Sequence, residues 1–228
     1  MSVVEPNPPS LAAIPVRCEL ASPVRKRPKP GERRIQILQA LATMLEQPGA
    51  ERITTAALAA RLDVSEAALY RHFASKAQMF EGLIEFVEQT VFSLINQIAD
   101  REAASGVAGD GADAGPATRQ AAKVVAMVMQ FAEKNPGMTR VMVGDALVFE
   151  NERLQQRMNQ FFDKIESHLK QSLRSNAEAS GSATPSVDAQ VRASVMTAFM
   201  VGRLQRFARS GFKRLPSEHL EASLALIL

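Results

Sequence analysis

Side chains that suit contact with a phosphate backbone are concentrated between residues 54 and 76. Hydroxyl groups donate hydrogen bonds to phosphate oxygens, and a lysine at the start of a helix adds a full charge to the positive end of the helix dipole. Small alanines within the segment would let a helix approach the floor of a DNA major groove. The candidate DNA-contacting residues are Thr54, Thr55, Ser65, Ala67, Ala68, Tyr70, His72 and Lys76.

Two further candidates, Arg27 and Lys29, end a segment with seven prolines in residues 1–30 and no apolar periodicity. We predict that residues 1–30 form a disordered tail. A basic arm beside a DNA-binding unit can follow phosphates or enter the minor groove, and a tail that only aids solubility is the alternative. Residues 24–80 hold ten lysines and arginines against five acidic residues, a local charge of +5 in a chain of net charge +3. Such a concentration of positive charge suits counterion release on DNA.

Two short helices joined by a sharp turn are predicted to position these candidates. Thr54 or Thr55 can cap the first helix, and Ser65 can cap a second helix over residues 66–72. The two residues between them, 63 and 64, allow only a tight corner. This pattern indicates a helix-turn-helix, although three packed helices with no role in DNA binding would show the same spacing.

Composition and periodicity predict an all-α fold, because no run of alternating β-branched residues occurs. Ser75, followed three residues later by Gln78, forms a capping-box pattern that opens a long helix. An apolar stripe that includes Ile35 predicts a first helix over residues 32–46. The other predicted elements are helices over 76–102, 118–134, 138–143, 187–210 and 217–228, a helix with an apolar stripe from Leu154 to Leu173, a mobile loop over 105–116 and a flexible linker over 175–186.

A C2 dimer is predicted through the helices over 145–174 and 187–210, with a packing surface for the second copy on the latter. Ala198 and Gly202 are small at a four-residue interval, which lets two helices approach closely, and Val195, Phe199 and Leu204 surround them. An internal core contact is the alternative. The predicted domains are the tail over 1–30, a helix-turn-helix DNA-binding domain over 31–80, and a helical dimerisation and partner-binding domain over 81–228.

Enzyme chemistry finds no support in the sequence. The three histidines have no carboxylate or cysteine at metal-ligand spacing, the single cysteine excludes an intrachain disulfide, and no phosphate-binding glycine loop or nucleophile elbow occurs. We therefore expect no catalytic residue, no metal and no cofactor. No apolar run approaches a membrane span and no secretory signal pattern is present, so we expect a soluble, cytoplasmic protein with no membrane partner.

The string ITTAALAARLDVSEAALYRHFASKAQMF at residues 53–80 closely resembles the DNA-binding domain of the TetR family. Its core, VS-x-x-x-LY-x-HF-x-x-K, is specific. Asp63 stands in the turn where that family usually has glycine, and aspartate tolerates a left-handed backbone better than most residues. The resemblance implies a TetR-like fold with an N-terminal three-helix DNA-binding domain, a C-terminal helical dimerisation or effector domain, and sequence-specific DNA binding.

Three further strings resemble the members of this family that act in nucleoid occlusion. They are GLIEFVEQ at 82–89, EKNPGMTRVMVGDALVFENERLQQRMNQFFDKIE at 133–166 and FKRLP at 212–216. This resemblance implies a nucleoid-associated homodimer that binds palindromic sites on double-stranded DNA. It also implies that the DNA-bound protein inhibits cell division by binding the C-terminal tail of FtsZ.

The same resemblance implies a groove for that tail between the helices over 76–102 and 118–134. Family members often have glycine in place of Gln130 and arginine in place of Lys134. Lysine keeps the charge but loses the bidentate fork of arginine, so tail affinity would differ in this chain. The residues that match the groove positions are Phe86, Met127, Gln130, Lys134 and Asn135.

Two other functions stay open on the sequence. A TetR-type transcriptional repressor released by a small ligand would need a closed apolar cavity among the helices that carry Met127, Met142 and Phe161. An interaction module without a specific DNA site would bind all duplexes with equal strength.

Overall fold

The computed structural model describes residues 31–47, 53–105 and 115–228, and within these ranges the chain is all-helical with no strand. The predicted all-α fold is therefore confirmed. The predicted tail over 1–30 and most of the predicted loop over 105–116 lie outside the described residues. The helices are α1 (Glu32–Leu45), α2 (Thr55–Arg61), α3 (Glu66–Tyr70), α4 (Lys76–Ser105), α5 (Pro116–Lys134), α6 (Pro136–Met142), a 3-10 helix (Asp145–Leu147), α7 (Glu152–Ala179), α8 (Pro185–Arg209) and α9 (Leu220–Ile227).

The corner between α2 and α3 forms as its residues predict. The Thr54 hydroxyl accepts the N–H of Ala57 at 3.1 Å, which caps α2. Asp63 has a φ of 51°, the left-handed conformation that the sequence led us to expect. The N–H of Val64 then donates to the carbonyl of Ala59 at 3.0 Å and closes the turn.

The ends of α3 and the start of α4 differ in detail from expectation. Ser65 occupies the N-cap position of α3, but its side chain makes no capping hydrogen bond, and α3 ends at Tyr70 instead of continuing to residue 72. At α4, Ser75 accepts the N–H of Gln78 at 3.2 Å as predicted. The Gln78 side chain returns to the N–H of Ala74 at 2.5 Å, one residue before the position that a capping box uses.

The prediction that Ile35 joins the buried stripe of α1 is wrong, because 57% of its surface is exposed. Ile37 is fully buried in its place, with Leu41 and Leu45 following at four-residue steps. Residues two positions apart on a helix point in nearly opposite directions, about 200° apart. Burial of Ile37 in the core therefore places Ile35 on the outer face.

The C-terminal domain is a bundle of α4, α5, α7 and α8, crossed by α6. Helix α5 buries eight side chains and lies at the centre of the bundle, as its apolar pattern predicts. The chain leaves the helical conformation at Asn135 and resumes it at Pro136, earlier than the predicted start at residue 138. Proline suits the first position of a helix because its missing N–H needs no partner there.

The predicted linker over residues 175–186 is too long, because only residues 180–184 lie between the helices. Helix α7 continues to Ala179 and α8 begins at Pro185. The amide of Asn176 donates to the Thr118 hydroxyl at 3.2 Å, and Asp188 accepts hydrogen bonds from Ser182 and Thr184 across the short connection. These side-chain contacts order a polar segment that composition alone marks as a loop.

The last helix is also shorter than predicted. It begins at Leu220, three residues later than expected, because His219 has a left-handed φ of 53° and cannot extend it backwards. None of the helices in the described ranges is long and apolar enough to cross a membrane.

Candidate nucleic-acid interface and partner groove

Helix α3 presents an outer face that suits a DNA groove. Ala67, Tyr70 and His72 are exposed, Ala68 is half-buried, and Leu69 anchors the helix in the core with 1% of its surface exposed. The Tyr70 side chain is 45% exposed, so its hydroxyl is free to donate to a phosphate. The structure therefore brings these predicted residues together on one surface.

Two threonines at the start of α2 lie beside this face but differ in what they can donate. The Thr54 oxygen accepts the capping hydrogen bond, which leaves its own O–H available for a phosphate. The Thr55 hydroxyl donates to the Glu66 carboxylate at 2.5 Å and ties the start of α2 to the start of α3. Thr55 therefore supports the geometry of the corner in this structure.

Sequence reasoning missed Arg34 as a residue that supports the interface. One of its terminal nitrogens donates to the carbonyl of His72 at 3.2 Å, and its guanidinium lies 4.2 Å from the centre of the Phe73 ring. The side chain thereby fixes the end of α3 against α1. The only signal in the sequence is its place in the basic cluster before the helix-turn-helix.

Lys76 lies at the start of α4, but its side chain is engaged elsewhere. Its ammonium is 2.5 Å from the carboxylate of Glu150, whose side chain is only 10% exposed. Two more predicted DNA contacts, Arg27 and Lys29, lie outside the described residues. The described part of the interface thus consists of α2, the turn and α3, with Lys76 turned toward the C-terminal domain.

Further ion pairs connect α4 to the start of α7. Glu81 pairs with Arg153, and Glu88 pairs with Arg157 at 2.6 Å. The hydrogen bonds that Arg157 donates to the Glu88 carboxylate raise the pKa of Arg157 above its ordinary value, against an opposing effect of burial. The guanidinium therefore stays protonated. These two ion pairs hold the part of α4 that follows the DNA-binding unit against the start of α7.

Helices α4 and α5 lie side by side and are joined at one end by the Lys123–Glu102 ion pair. On α4, Phe86 is 45% exposed, which is unusual for a phenylalanine within a packed bundle. On α5, Gln130 and Lys134 are exposed and Met127 is half-buried on the same face. We use the name α4–α5 groove for the predicted tail-binding surface made of Phe86, Met127, Gln130, Lys134 and Asn135.

Asn135 is the fifth predicted groove residue. It lies half-buried at the end of α5, and its amide nitrogen donates to the carbonyl of Phe131 at 2.8 Å. This hydrogen bond uses one of the two amide protons and leaves the other free. The side chain is therefore fixed in place and can still contact a ligand in the groove.

The apolar cavity that a ligand-released repressor would need is only partly present. Phe161 and Met142 are buried in the core, and Phe161 packs edge-on against Phe92 and Phe162. An open cleft of about 450 Å³ lies nearby, between the start of the 3-10 helix, α7 and α8. Its lining mixes apolar with polar and acidic side chains, including Met142, Met158, Phe162, Asp145, Asp163 and Gln205.

The described residues contain no group of three or more histidine, cysteine, aspartate or glutamate side chains that could hold a metal ion. Together, the corner of α2 and α3, the exposed face of α3 and the helical bundle that follows define a helix-turn-helix DNA-binding protein with a C-terminal helical domain.

Comparison with known proteins identifies the family. The family model described as bacterial regulatory proteins, tetR family, matches residues 37–83, and a SlmA-like model described as tetracyclin repressor-like, C-terminal domain, matches residues 118–228. The nucleoid occlusion factor SlmA of Idiomarina loihiensis is 49% identical over 190 residues, which cover 83% of this chain and 90% of that protein. SlmA of Vibrio cholerae is 47% identical over 196 residues, covering 86% and 93% of the two chains. The chain belongs to the SlmA family of nucleoid occlusion factors within the TetR class.

Solved structures support the fold. The transcriptional regulator FadR from Bacillus subtilis, solved with stearoyl-CoA, aligns with a TM-score of 0.63 at 14% identity and covers 85% of this chain and 96% of its own. AibR, solved with isovaleryl coenzyme A and operator DNA, aligns with a TM-score of 0.60 at 15% identity, covering 85% and 97%. At this level of identity the similarity concerns the arrangement of helices alone.

Proposed function

We propose that this protein is a nucleoid-associated inhibitor of cell division in the cytoplasm. In this proposal it binds palindromic chromosomal sites as a homodimer and, while bound to DNA, binds the C-terminal tail of FtsZ. The observation that carries the proposal is the identity with nucleoid occlusion factors over more than four-fifths of the chain. Similarity of that extent reaches well beyond the helix-turn-helix.

Recognition of DNA is assigned to α3. Its exposed alanine, Ala67, allows close approach to base edges, while Tyr70 and Thr54 supply hydroxyl donors for phosphates on either side. Because most of these contacts go to phosphates, we expect binding to be strongly salt-dependent. Arg27 and Lys29 would add phosphate or minor-groove contacts from the N-terminal side.

Dimerisation is assigned to an exposed apolar stripe on α8. Val187, Val191 and Val195 are each about half exposed, at 58%, 56% and 47%. A methyl group added at Gly202 would meet no atom within 4 Å, so the stripe is open to a second helix. Leu204, in contrast, is fully buried and belongs to the core. A C2 pair of such stripes would bury the valines of both copies.

Binding of the FtsZ tail is assigned to the α4–α5 groove. Exposed Phe86 offers an apolar contact, Lys134 a positive charge and Asn135 a free amide proton. An extended peptide with apolar and acidic side chains would satisfy all three. Gln130 has a larger side chain than the glycine that the family resemblance implies at this position, which predicts weaker binding.

The test is fluorescence anisotropy of a labelled FtsZ C-terminal tail peptide titrated with the protein, with and without a palindromic duplex, at one salt concentration. We expect saturable binding that Phe86→Ala abolishes while duplex binding is unchanged. Tyr70→Ala is the matched control, since it should weaken duplex binding and leave binding of the peptide in the absence of DNA unchanged. Absence of peptide binding in both states would contradict the proposal.

A second candidate, the ligand-released repressor, draws support from the open 450 Å³ cleft beside Met142 and Met158. Its polar and acidic lining would suit a small amphipathic or cationic ligand. A protein that binds its duplex, ignores the peptide and leaves the duplex on addition of such a compound would fit this function instead.

A further inference from the structure

The turn after α8, residues 210–217, is closed by side-chain hydrogen bonds. The Ser210 hydroxyl oxygen accepts the N–H groups of both Lys213 and Arg214, at 3.1 and 3.0 Å. Gly211 and Phe212 are both left-handed, with φ values of 63° and 64°. Glycine adopts this conformation freely, but a bulky residue such as phenylalanine does so only where its surroundings hold it there.

Side-chain contacts at both ends hold the turn. The Phe212 ring lies edge-on to Phe207, with ring centres 5.2 Å apart, and the guanidinium of Arg140 lies 5.3 Å from its centre. At the other end, Pro216 is buried, and both the N–H and the hydroxyl of Ser217 donate to the Glu133 carboxylate, at 3.0 and 2.5 Å.

Between these anchors the turn exposes two cations and an apolar group. Lys213 and Arg214 are exposed, and Leu215 is 50% exposed. Arg206 and Arg209, in the last turn of α8, are exposed next to them. Within the described ranges none of these four cations forms an ion pair. A rigid, unneutralised cluster of positive charge complements an anionic partner.

The position of the turn favours a protein partner over DNA. Arg34, near the start of α1, contacts the end of the recognition helix, whereas Ala42, near its other end, lies against Gly137 of α6. The fourteen residues of α1 span about 21 Å. Because the turn packs on α6, it lies near the end of α1 that is farther from the recognition helix.

The turn is instead adjacent to the end of α5. Ser217 donates to Glu133, and the next residue of α5 is the exposed Lys134, which we assign to the α4–α5 groove. The cluster of Lys213, Arg214 and Leu215 therefore continues the positive end of the groove onto a second surface. We call it the basic turn.

We infer that the basic turn is a second docking surface for the peptide partner, binding an acidic segment next to the part that occupies the groove. Carboxylates of that segment pair with Lys213 and Arg214, and a neighbouring apolar side chain packs on Leu215. This inference rests on the proposed binding of a partner tail. The inference adds to the proposed function that part of the bound tail is acidic and that the basic turn recognises this part.

The test compares the wild-type protein with the Lys213→Gln/Arg214→Gln variant in anisotropy titrations of the full FtsZ tail peptide. A second peptide has every aspartate and glutamate replaced by its amide. We expect the variant to bind the acidic peptide about five-fold or more weakly and to lose part of the salt dependence. The affinity of the wild-type protein should fall by a similar factor when the acidic peptide is replaced by the amide peptide. The affinity of the variant should fall little further on the same replacement.

Lys164→Gln/Lys170→Gln on α7 is the matched control and should bind both peptides like the wild type. If the wild type binds the tail and the basic-turn variant binds it equally well, the inference is overturned while the proposed function stands. If the wild type does not bind the tail, the proposed function fails first. A uniform loss of duplex affinity in the variant would assign the basic turn to DNA and also overturn the inference.

Discussion

The ammonium of Lys76 lies 2.5 Å from the carboxylate of Glu150, so the first residue of α4 is paired with the segment that leads into α7. Only 10% of the Glu150 side chain is exposed, which shields the pair from solvent. Lys76 is also a candidate phosphate contact, and one ammonium group cannot serve both partners fully. Contact with DNA would therefore leave a largely buried carboxylate without its cation, which is costly.

We therefore predict that Glu150→Gln strengthens DNA binding. The free ammonium of Lys76 would gain one phosphate contact, and the plot of log affinity against log salt would steepen by about 0.9. The measurement is duplex affinity by anisotropy across a series of salt concentrations. Lys76→Gln/Glu150→Gln, which lacks the cation, should show no such gain. An unchanged salt slope in Glu150→Gln would remove Lys76 from the set of phosphate contacts.

Gly137 of α6 lies directly against the backbone of α1. A methyl group added at Gly137 would lie 2.0 Å from the carbonyl oxygen of Ala42, a backbone atom that cannot move alone. We predict that Gly137→Ala lowers the free energy of unfolding by about 1–3 kcal/mol, measured by urea denaturation.

Gly82→Ala is the control for this prediction. Its added methyl group would meet the methyl groups of Leu38 at 3.1 and 3.2 Å, and a flexible side chain can give way. The substitution also favours the helix by up to about 1 kcal/mol. Equal losses in the two variants would contradict a special role for the α1–α6 contact.

The recognition surface predicts two different effects on DNA binding. Tyr70→Phe keeps the ring and removes the hydroxyl, so affinity should fall by a similar factor, about five-fold, for all duplexes. Ala67→Ser places a new hydrogen-bonding group where base edges are read and should change the ranking of duplexes. Competition titrations with a panel of operator variants distinguish the two patterns, and identical effects would refute the assigned orientation of α3.

The apolar stripe of α8 predicts the assembly state. Val191→Glu would bring two carboxylates into a shared interface, so we expect the variant to be monomeric by light scattering at micromolar concentration. Ile35→Glu is the matched control, because Ile35 is equally exposed but lies on α1. A Val191→Glu dimer of unchanged affinity would place the interface elsewhere.

Prediction from the sequence succeeded where the determining residues are close together in the chain. The caps at Thr54 and Ser75, the left-handed turn at Asp63 and the buried face of α5 all follow from short-range hydrogen bonding and periodicity. The family motif depends on the same local spacing. These features are formed within one or two helical turns, so a sequence window contains all the information they need.

Prediction failed where a distant partner decides. Residues 175–179 have a polar, loop-like composition, yet they are helical in contact with Thr118. Ser217, the predicted first residue of the last helix, instead donates its N–H and hydroxyl to Glu133 of another helix, and the left-handed His219 sets the later start. Propensity is a weak effect, and a few tertiary hydrogen bonds outweigh it.

The sequence by itself determined the helix-turn-helix, the family and the residues that face outward on α3. Only the tertiary structure decided that Lys76 pairs with Glu150 and that Arg34 braces the recognition helix. It also decided that the turn after α8 lies beside the end of α5. The physical reason is that short-range order needs only neighbouring residues, whereas charge pairing and surface continuity depend on which distant helices the core brings together.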